Sequence, residues 1–205
     1  MNLDGKVAVV TGGGGAICGE IADLFARNGA KVAVWDLSLN SARKRAESTA
    51  CLPVQCDVTD PESVRDALEA TLGEFGAVDI LVNGAGGNRP ESTTGPERSF
   101  FDLDAKALAS NFGLNYLGSV IPSQAVGRIF ADNGSGAIVN LSSVAGIEPL
   151  SRAVAYSNAK AALIGFTRWL AVHMAREYSP AIRVNAVAAG FVLTGQNRFL
   201  LLDEN

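Results

Sequence analysis

A three-layer α/β/α sandwich around a doubly wound parallel sheet is the fold this sequence predicts, and three observations predict it. Short runs rich in Val and Ile alternate with amphipathic stretches along all 205 residues. None of those runs alternates cleanly between apolar and polar residues, which is the pattern of strands covered on both faces. Mean hydropathy is high at +0.19, yet no apolar run approaches the roughly 20 residues that a bilayer span requires. Strand–helix–strand repetition implies parallel pairing through right-handed crossovers. No linker, repeat or low-complexity tract interrupts it, so one domain over residues 1–205 is expected.

The first strand is expected at residues 6–10, an unbroken apolar run after Lys6. A helix over 17–28 follows, closed by Asn28-Gly29 as its C-cap. The second strand covers 31–35 and leads to a helix over 39–48. The third strand covers 52–55. Asp60 and Pro61 are a good start for the helix over 61–75, with Asp as N-cap and Pro at the first helical position. A strand over 78–82, a long helical stretch over 101–131, and a strand over 137–141 come next. A helix over 155–178 and a strand over 182–187 end the alternation.

Composition removes several classes of function. Apolar residues make up 48% and charged residues 19% of the chain, which excludes a disordered or fibrous protein. The net charge is −4 and no basic run occurs, so a nucleic-acid partner is not expected. Three cysteines and a single histidine, His173, allow neither a disulfide framework nor a metal site. His173, Trp35 and Trp169 read as packing residues. No basic segment with an apolar core and cleavage site opens the chain. A cytoplasmic protein without membrane contact is the expectation.

The chemistry begins at Thr11-Gly12-Gly13-Gly14-Gly15-Ala16-Ile17-Cys18-Gly19, between the first strand and the first helix. Glycines there let the backbone turn sharply and approach a diphosphate, whose charge faces the helix N-terminus. A merely flexible turn would also tolerate glycines, but the position is that of a dinucleotide loop. Asp36 ends the second strand about 20 residues on, where a carboxylate binds adenosine ribose hydroxyls. It repels a 2′-phosphate and no Arg or Lys stands in the loop, so NAD is favoured over NADP. Asp36 or Ser38 could equally cap the next helix.

Further along, a strand ends in Ser142-Ser143, and Tyr156 and Lys160 lie one helical turn apart on one face. An ammonium beside a phenol favours the phenolate, which suits Tyr156 to proton exchange. Ser143 can donate to a carbonyl oxygen beside it. Tyr and Lys at this spacing are also common in ordinary helices; with Ser143 and the glycine loop they form a constellation.

In these motifs, together with Asp57-Val58-Thr59-Asp60, Asn83-Gly84-Ala85-Gly86, Asn115-Tyr116-Leu117-Gly118 and the 185–190 segment, the chain resembles the short-chain dehydrogenase/reductase family over nearly its full length. The resemblance implies a Rossmann-like fold and a catalytic set of Asn115, Ser143, Tyr156 and Lys160. Tyr156 would exchange the proton, Ser143 polarise the carbonyl, and Lys160 assist Tyr156 and bind the nicotinamide ribose. Asn115 would support a water relay behind Lys160; Asn111 competes for that role but lacks the glycine three residues on.

For the cofactor the resemblance implies Gly12, Gly14, Gly15, Ala16 and Ile17 in the loop, Asp36 at the ribose, and Asp57 with the Val58 backbone at the adenine. Asn83, which steadies the central sheet, is grouped with them, as are Ala85, Gly86, Tyr156, Lys160, Gly190 and Val192. Thr194 would meet the carboxamide or diphosphate.

The sequence departs from the family pattern in several places. Ala16 and Cys18 stand where the loop's second and third glycines are usual, and Cys18 is expected to crowd the helix–strand contact. Gly84 replaces an asparagine and Ala189 a proline. Family members continue with a further helix and a seventh strand, which this sequence, ending Asp203-Glu204-Asn205, is expected to lack.

The four-glycine loop, the run 84–88 and the segment 191–198 are most similar to sugar-acid members of the D-mannonate oxidoreductase (fructuronate reductase) type. A sugar acid needs a cation for its carboxylate and polar groups for its hydroxyls. Asn88, Arg89, Arg152 and Arg198 are the candidates. Other polyols, a 3-oxoacyl thioester, or a catalytically silent nucleotide-binding relative are the alternatives. The resemblance further implies a homodimer or homotetramer through the helices carrying Asn115 and Tyr156, with Ile121, Val126, Phe166 and Leu170 supplying apolar surface.

Overall fold

The computed structural model describes residues 2–148 and 150–192. Six strands alternate with five long helices: β1 (Val7–Thr11), α1 (Ala16–Arg27), β2 (Lys31–Asp36), α2 (Leu39–Ser48), β3 (Cys51–Gln55), α3 (Pro61–Phe75), β4 (Ile80–Asn83), α4 (Ala105–Asn133), β5 (Gly136–Ser143), α5 (Val154–Glu177) and β6 (Ile182–Ala189). The strands form one sheet in the order β3-β2-β1-β4-β5-β6, every neighbouring pair parallel. The expected α/β/α sandwich with a doubly wound parallel sheet is present.

Successive residues of the central strands feed opposite faces, and each face is closed by helices. Val9, Ala33, Trp35, Leu81 and Ile138 pack with Val64 and Ala67 of α3, Val126 and Phe130 of α4, and Leu170 and Met174 of α5. Ala8, Val10, Val32, Val34 and Val82 pack instead with Ala22 of α1 and Ala42 of α2. Burial on both sides explains why β1 is buried at all five residues and reads as a continuous apolar run.

The capping chemistry follows the sequence. The Asp60 side chain accepts from the Glu62 N–H at the start of α3, and Pro61 is the first helical residue. Asn28 caps the end of α1, with Gly29 at φ +91. Ser38, not Asp36, caps α2 by accepting from the Ser41 N–H.

The long helix differs from expectation at its start. Phe100–Asp102 forms a separate 3₁₀ turn, and Asp104 caps α4 by accepting from the Ala107 N–H. β5 and β6 run on to Ser143 and Ala189, past the predicted ends, because they pair along eight residues.

The apolar surface expected from α4 and α5 is also different. Val126 is fully buried and Leu170 nearly so, while Ile121 and Phe166 are half-buried against the same core. Val126 and Leu170 are thus used inside the chain, and Ile121 and Phe166 keep part of their surface exposed. The exposed large apolar residues of these helices are Leu117, Trp169 and Val172.

Among the described residues no helix is long and apolar enough to cross a membrane. None of them form a group of three or more His, Cys, Asp or Glu able to hold a metal ion.

Candidate active site

The strand order turns around between β1 and β4, so the loops leaving their carboxyl ends diverge and open a crevice, as open α/β sheets do at such a point. Thr11 ties the two sides of it together. Its hydroxyl accepts from the N–H groups of Gly84 (3.0 Å) and Ala85 (3.1 Å).

The loop after β1 is bare backbone because side chains have no room in it. Gly12 sits at φ +66, and a Cβ there would stand 2.9 Å from the Ala85 Cα. A Cβ on Gly14 would lie 2.6 Å from Ser41 Cβ and 2.9 Å from Asp36 Oδ2. Gly15 is the N-cap of α1; no side chain caps that first turn and no acid lies in it. Ala16 and Ile17 open the helix, with Ile17 partly exposed. Uncapped N–H groups at a helix start suit an anion, so this cradle fits a dinucleotide diphosphate.

Asp36 is anchored beside the loop. Its Oδ2 accepts from the Gly14 N–H (3.0 Å) and its Oδ1 from the Ser38 N–H (2.9 Å). Each carboxylate oxygen keeps a lone pair for a ribose hydroxyl. Asp57 Oδ1 accepts from the N–H and hydroxyl of Thr59. The buried Val58 packs against α4 where Gly118 leaves space, since a Cβ on Gly118 would lie 2.9 Å from Val58 Cγ2.

Asn83 turns its amide inward, donating to Ser123 Oγ (2.9 Å) and Asn140 Oδ1 (2.8 Å). Asn140 passes the chain on to Thr167 of α5.

Lys160 is buried, though it carries a charge. It is 5% exposed. Its Nζ donates to the Leu141 carbonyl at 2.7 Å, and its own carbonyl accepts from the Ser142 hydroxyl at 2.9 Å. These two bonds pin α5 to the end of β5. Gly146 allows the close approach: a Cβ there would lie 2.7 Å from the Lys160 carbonyl carbon. Burial pushes the Lys160 ammonium down to about 8. Lys160 Nζ lies 5.6 Å from the centre of the Tyr156 ring.

Ser143 ends β5, and its hydroxyl accepts from the Ala145 N–H (3.1 Å) to cap a 3₁₀ turn over Val144–Gly146. Accepting leaves the hydroxyl proton available to a substrate oxygen.

Asn115 is fully buried and grips Gly87 at both ends of its backbone, accepting from the N–H (2.9 Å) and donating to the carbonyl (2.8 Å). Gly86 lies between them and the lysine: its missing Cβ would stand 2.6 Å from Asn115 Oδ1 and 3.6 Å from Lys160 Nζ. Ala85, Gly86, Asn115 and Lys160 are thus brought together.

Among the substrate candidates, Asn88 donates to Thr93 Oγ1 and Arg89 to Ser110 Oγ, bonds that hold both side chains beside α4 while both residues remain exposed. Arg152 is exposed at φ +74, and its carbonyl accepts from the Thr94 N–H. Gly190 and Val192 follow the end of β6, both exposed. Thr194 and Arg198 lie outside the described residues.

Sequence reasoning did not find three contacts: the Thr11 hydroxyl across the crevice, the approach of Gly146 to Lys160, and the fit of Cys18 under Gly84. Thr11 lay inside the glycine motif and was findable there. The other two need the folded chain.

A sequence profile of the short chain dehydrogenase family matches residues 6–205. An uncharacterized oxidoreductase, UxuB, of Bacillus subtilis is 42% identical over 218 aligned positions, covering 100% of this chain and 77% of that one. The D-threitol dehydrogenase of Mycolicibacterium smegmatis is 37% identical, covering 95% and 73%. Among solved structures, a Haemophilus influenzae protein provisionally named D-mannonate oxidoreductase, with bound NAD, superposes with a TM-score of 0.90. It is 35% identical, over 99% of this chain and 77% of that one.

Proposed function

Because the chain belongs to the short-chain dehydrogenase family, we propose that it is an NAD(H)-dependent oxidoreductase that interconverts a secondary alcohol of a sugar acid, such as D-mannonate, and the ketone, such as D-fructuronate. The observation that carries the reading is the buried Lys160 ammonium beside the Tyr156 ring, at the strand end that also carries Ser143.

NAD bound in the glycine cradle supplies the hydride acceptor. Gly12, Gly14, Gly15, Ala16 and Ile17 hold its diphosphate, Asp36 its adenosine ribose hydroxyls, and Asp57 and Val58 its adenine. Ala85 and Gly86 would border it, and the family resemblance assigns Gly190, Val192 and Thr194 to the nicotinamide end. Asp36 leaves no room for the charge of a 2′-phosphate, which favours NAD over NADP.

Ser143 donates to the substrate oxygen and fixes its place. Tyr156 takes the hydroxyl proton during oxidation and returns it during reduction. Lys160, held by the Leu141 carbonyl, keeps a positive charge beside the phenol and reaches the ribose. Asn115, clasping Gly87 behind Lys160, supports the proton's way out. Arg152, Arg89, Asn88 and Arg198 are the groups from which the carboxylate and hydroxyl contacts are drawn.

A second copy of the chain would cover the outer face of α4 and α5. The exposed Leu117, Trp169 and Val172 support that assembly, and Trp169 is 60% exposed.

The test is a panel of sugar acids and polyols with NAD, followed by NADH absorbance. Oxidation of D-mannonate is expected. Oxidation of D-threitol alone would favour a polyol dehydrogenase, the reading that the Mycolicibacterium relative supports. NAD binding without turnover of any alcohol would mark a silent nucleotide-binding protein.

A further inference from the structure

We propose that Asn111 is a positioning residue: it ties the loop over residues 87–94 to α4 and so sets the substrate side of the site. For the identity of the substrate this rests on the sugar-acid reading above.

The loop frames the space around Tyr156 and Lys160. It leaves the end of β4 past Gly86, beside Lys160 Nζ, and reaches Thr94, whose N–H donates to the Arg152 carbonyl at 3.0 Å. Arg152 stands four residues before Tyr156. Between these points the loop carries Asn88 and Arg89 and turns through a 3₁₀ turn over Pro90–Ser92.

Two buried amides on one face of α4 hold this loop, and they divide it. Asn115 grips Gly87 alone, through its N–H and carbonyl. Asn111, one helical turn earlier and fully buried, reaches further along. Its amide nitrogen donates to the hydroxyl of Ser92 (2.5 Å) and to Asn88 Oδ1 (3.4 Å). Its oxygen accepts from Asn115 Nδ2 at 2.7 Å. With the amide turned over, the same group meets the Gly87 carbonyl at 2.9 Å and the Arg89 N–H at 3.3 Å. The tie to the loop holds in either orientation.

Ser92 is itself fully buried, and its hydroxyl donates to the Arg89 carbonyl. Removing the Asn111 side chain therefore takes one hydrogen bond from each of two buried groups, the Ser92 hydroxyl and the Asn115 amide, and cuts the tie of Ser92 to α4, so that the loop moves more readily out to water. Lys160 and the glycine cradle keep all their contacts in that event. The consequence falls on substrate, not on cofactor.

The experiment replaces Asn111 with Leu, which keeps the size and removes the polar atoms, and with Asp, which keeps an acceptor for Asn115 and, as in the turned-over amide, one for the Ser92 hydroxyl and the Arg89 N–H. Amide hydrogen exchange is measured in the NAD-bound proteins, alongside KM for the oxidised sugar acid, kcat and the NAD dissociation constant. Asn111→Leu is expected to speed exchange in residues 87–94 at least about tenfold, as loss of a buried hydrogen-bonded group implies. KM is expected to rise by a similar factor, with kcat within about threefold and NAD affinity within about twofold. Asn111→Asp recovers part of both effects, and serves alone if the Leu variant does not fold. Unaltered loop exchange overturns the proposal, as does an NAD affinity that falls in step with KM, the mark of general loosening. If no sugar acid is oxidised by the parent protein, the substrate reading fails while the exchange measurement still decides the role of Asn111.

Discussion

The sulfur of Cys18 fills the space that a side chain on Gly84 would need. A Cβ on Gly84 would collide with Cys18 Sγ, and it would also stand 3.0 Å from Leu141 Cδ1 and 3.2 Å from the Thr11 carbonyl oxygen. Both positions depart from the family pattern, which has glycine at the first and asparagine at the second. The sequence alone suggests that Cys18 crowds the contact between helix and strand. In the folded chain the two departures compensate each other.

Restoring asparagine at Gly84 alone is therefore expected to destabilise the protein by about 1–3 kcal/mol, the usual range for overpacking. The double variant Cys18→Gly/Gly84→Asn is expected to recover most of that loss. Urea denaturation of the four proteins in a double-mutant cycle measures the coupling. Additive effects, with no recovery in the double variant, would show that the two positions are independent.

That exchange marks the boundary of what the sequence carries. The bounds of α2 and α3 were legible because Ser38 and Asp60 are strong caps that announce themselves locally. The glycine loop and the spacing of Tyr156 and Lys160 were legible for the same reason, being patterns within a few residues. The ends of β5 and β6 were not, because Ser142, Ser143 and Ala188 are poor strand formers held in place by pairing with each other's strand. Nor was the burial of Val126 and Leu170, since which face of α4 and α5 meets the sheet depends on tertiary packing. The fit of Cys18 to Gly84 spans 66 positions, and Asn111 meets Ser92 from 19 positions away. Periodicity cannot report contacts of that kind.

Lys160 makes stability depend on pH in a definite direction. Burial lowers its ammonium from 10.5 to about 8. As pH falls, the unfolded chain takes up this proton before the folded one does. The stability linked to Lys160 is thus present above about 10.5 and lost as pH falls towards 8, roughly 3 kcal/mol in all. Lys160→Met carries no such dependence. Thermal melts between pH 7 and 10.5 are expected to show the variant gaining on the parent as pH falls to 8, with a flat difference below. A difference in Tm that does not change with pH would contradict this account of the lysine.

Asp36 is expected to set cofactor choice, and its two hydrogen bonds add a second effect. Asp36→Ala removes the carboxylate that excludes a 2′-phosphate and also frees the N–H groups of Gly14 and Ser38. NAD is expected to bind about tenfold more weakly, because bonds to a charged group are lost. NADP is expected to bind more tightly than it does to the parent. Titration by quenching of protein fluorescence reads both constants. An unchanged ratio of the two affinities would remove Asp36 from the ribose site.

Tyr156 gives the sharpest test of the chemistry, because its replacement by Phe subtracts a single oxygen. The residue is half-buried, and its ring, the part near Lys160 Nζ, survives the change. Lys160 also keeps its bond to the Leu141 carbonyl, so α5 stays fixed to β5. Fold, melting temperature and NAD affinity are therefore expected to stay close to those of the parent. Turnover is expected to fall at least about a hundredfold, the low end of what a positioned acid or base contributes. Ser143→Ala, which removes only the donor to the substrate oxygen, is expected to lose turnover in the same range while Tyr156 remains. Measuring kcat and the NAD dissociation constant on the same preparations separates the two steps. A Tyr156→Phe protein that keeps most of its turnover would assign the proton transfer to another group, and Ser143, at the adjoining strand end, would be the first to examine.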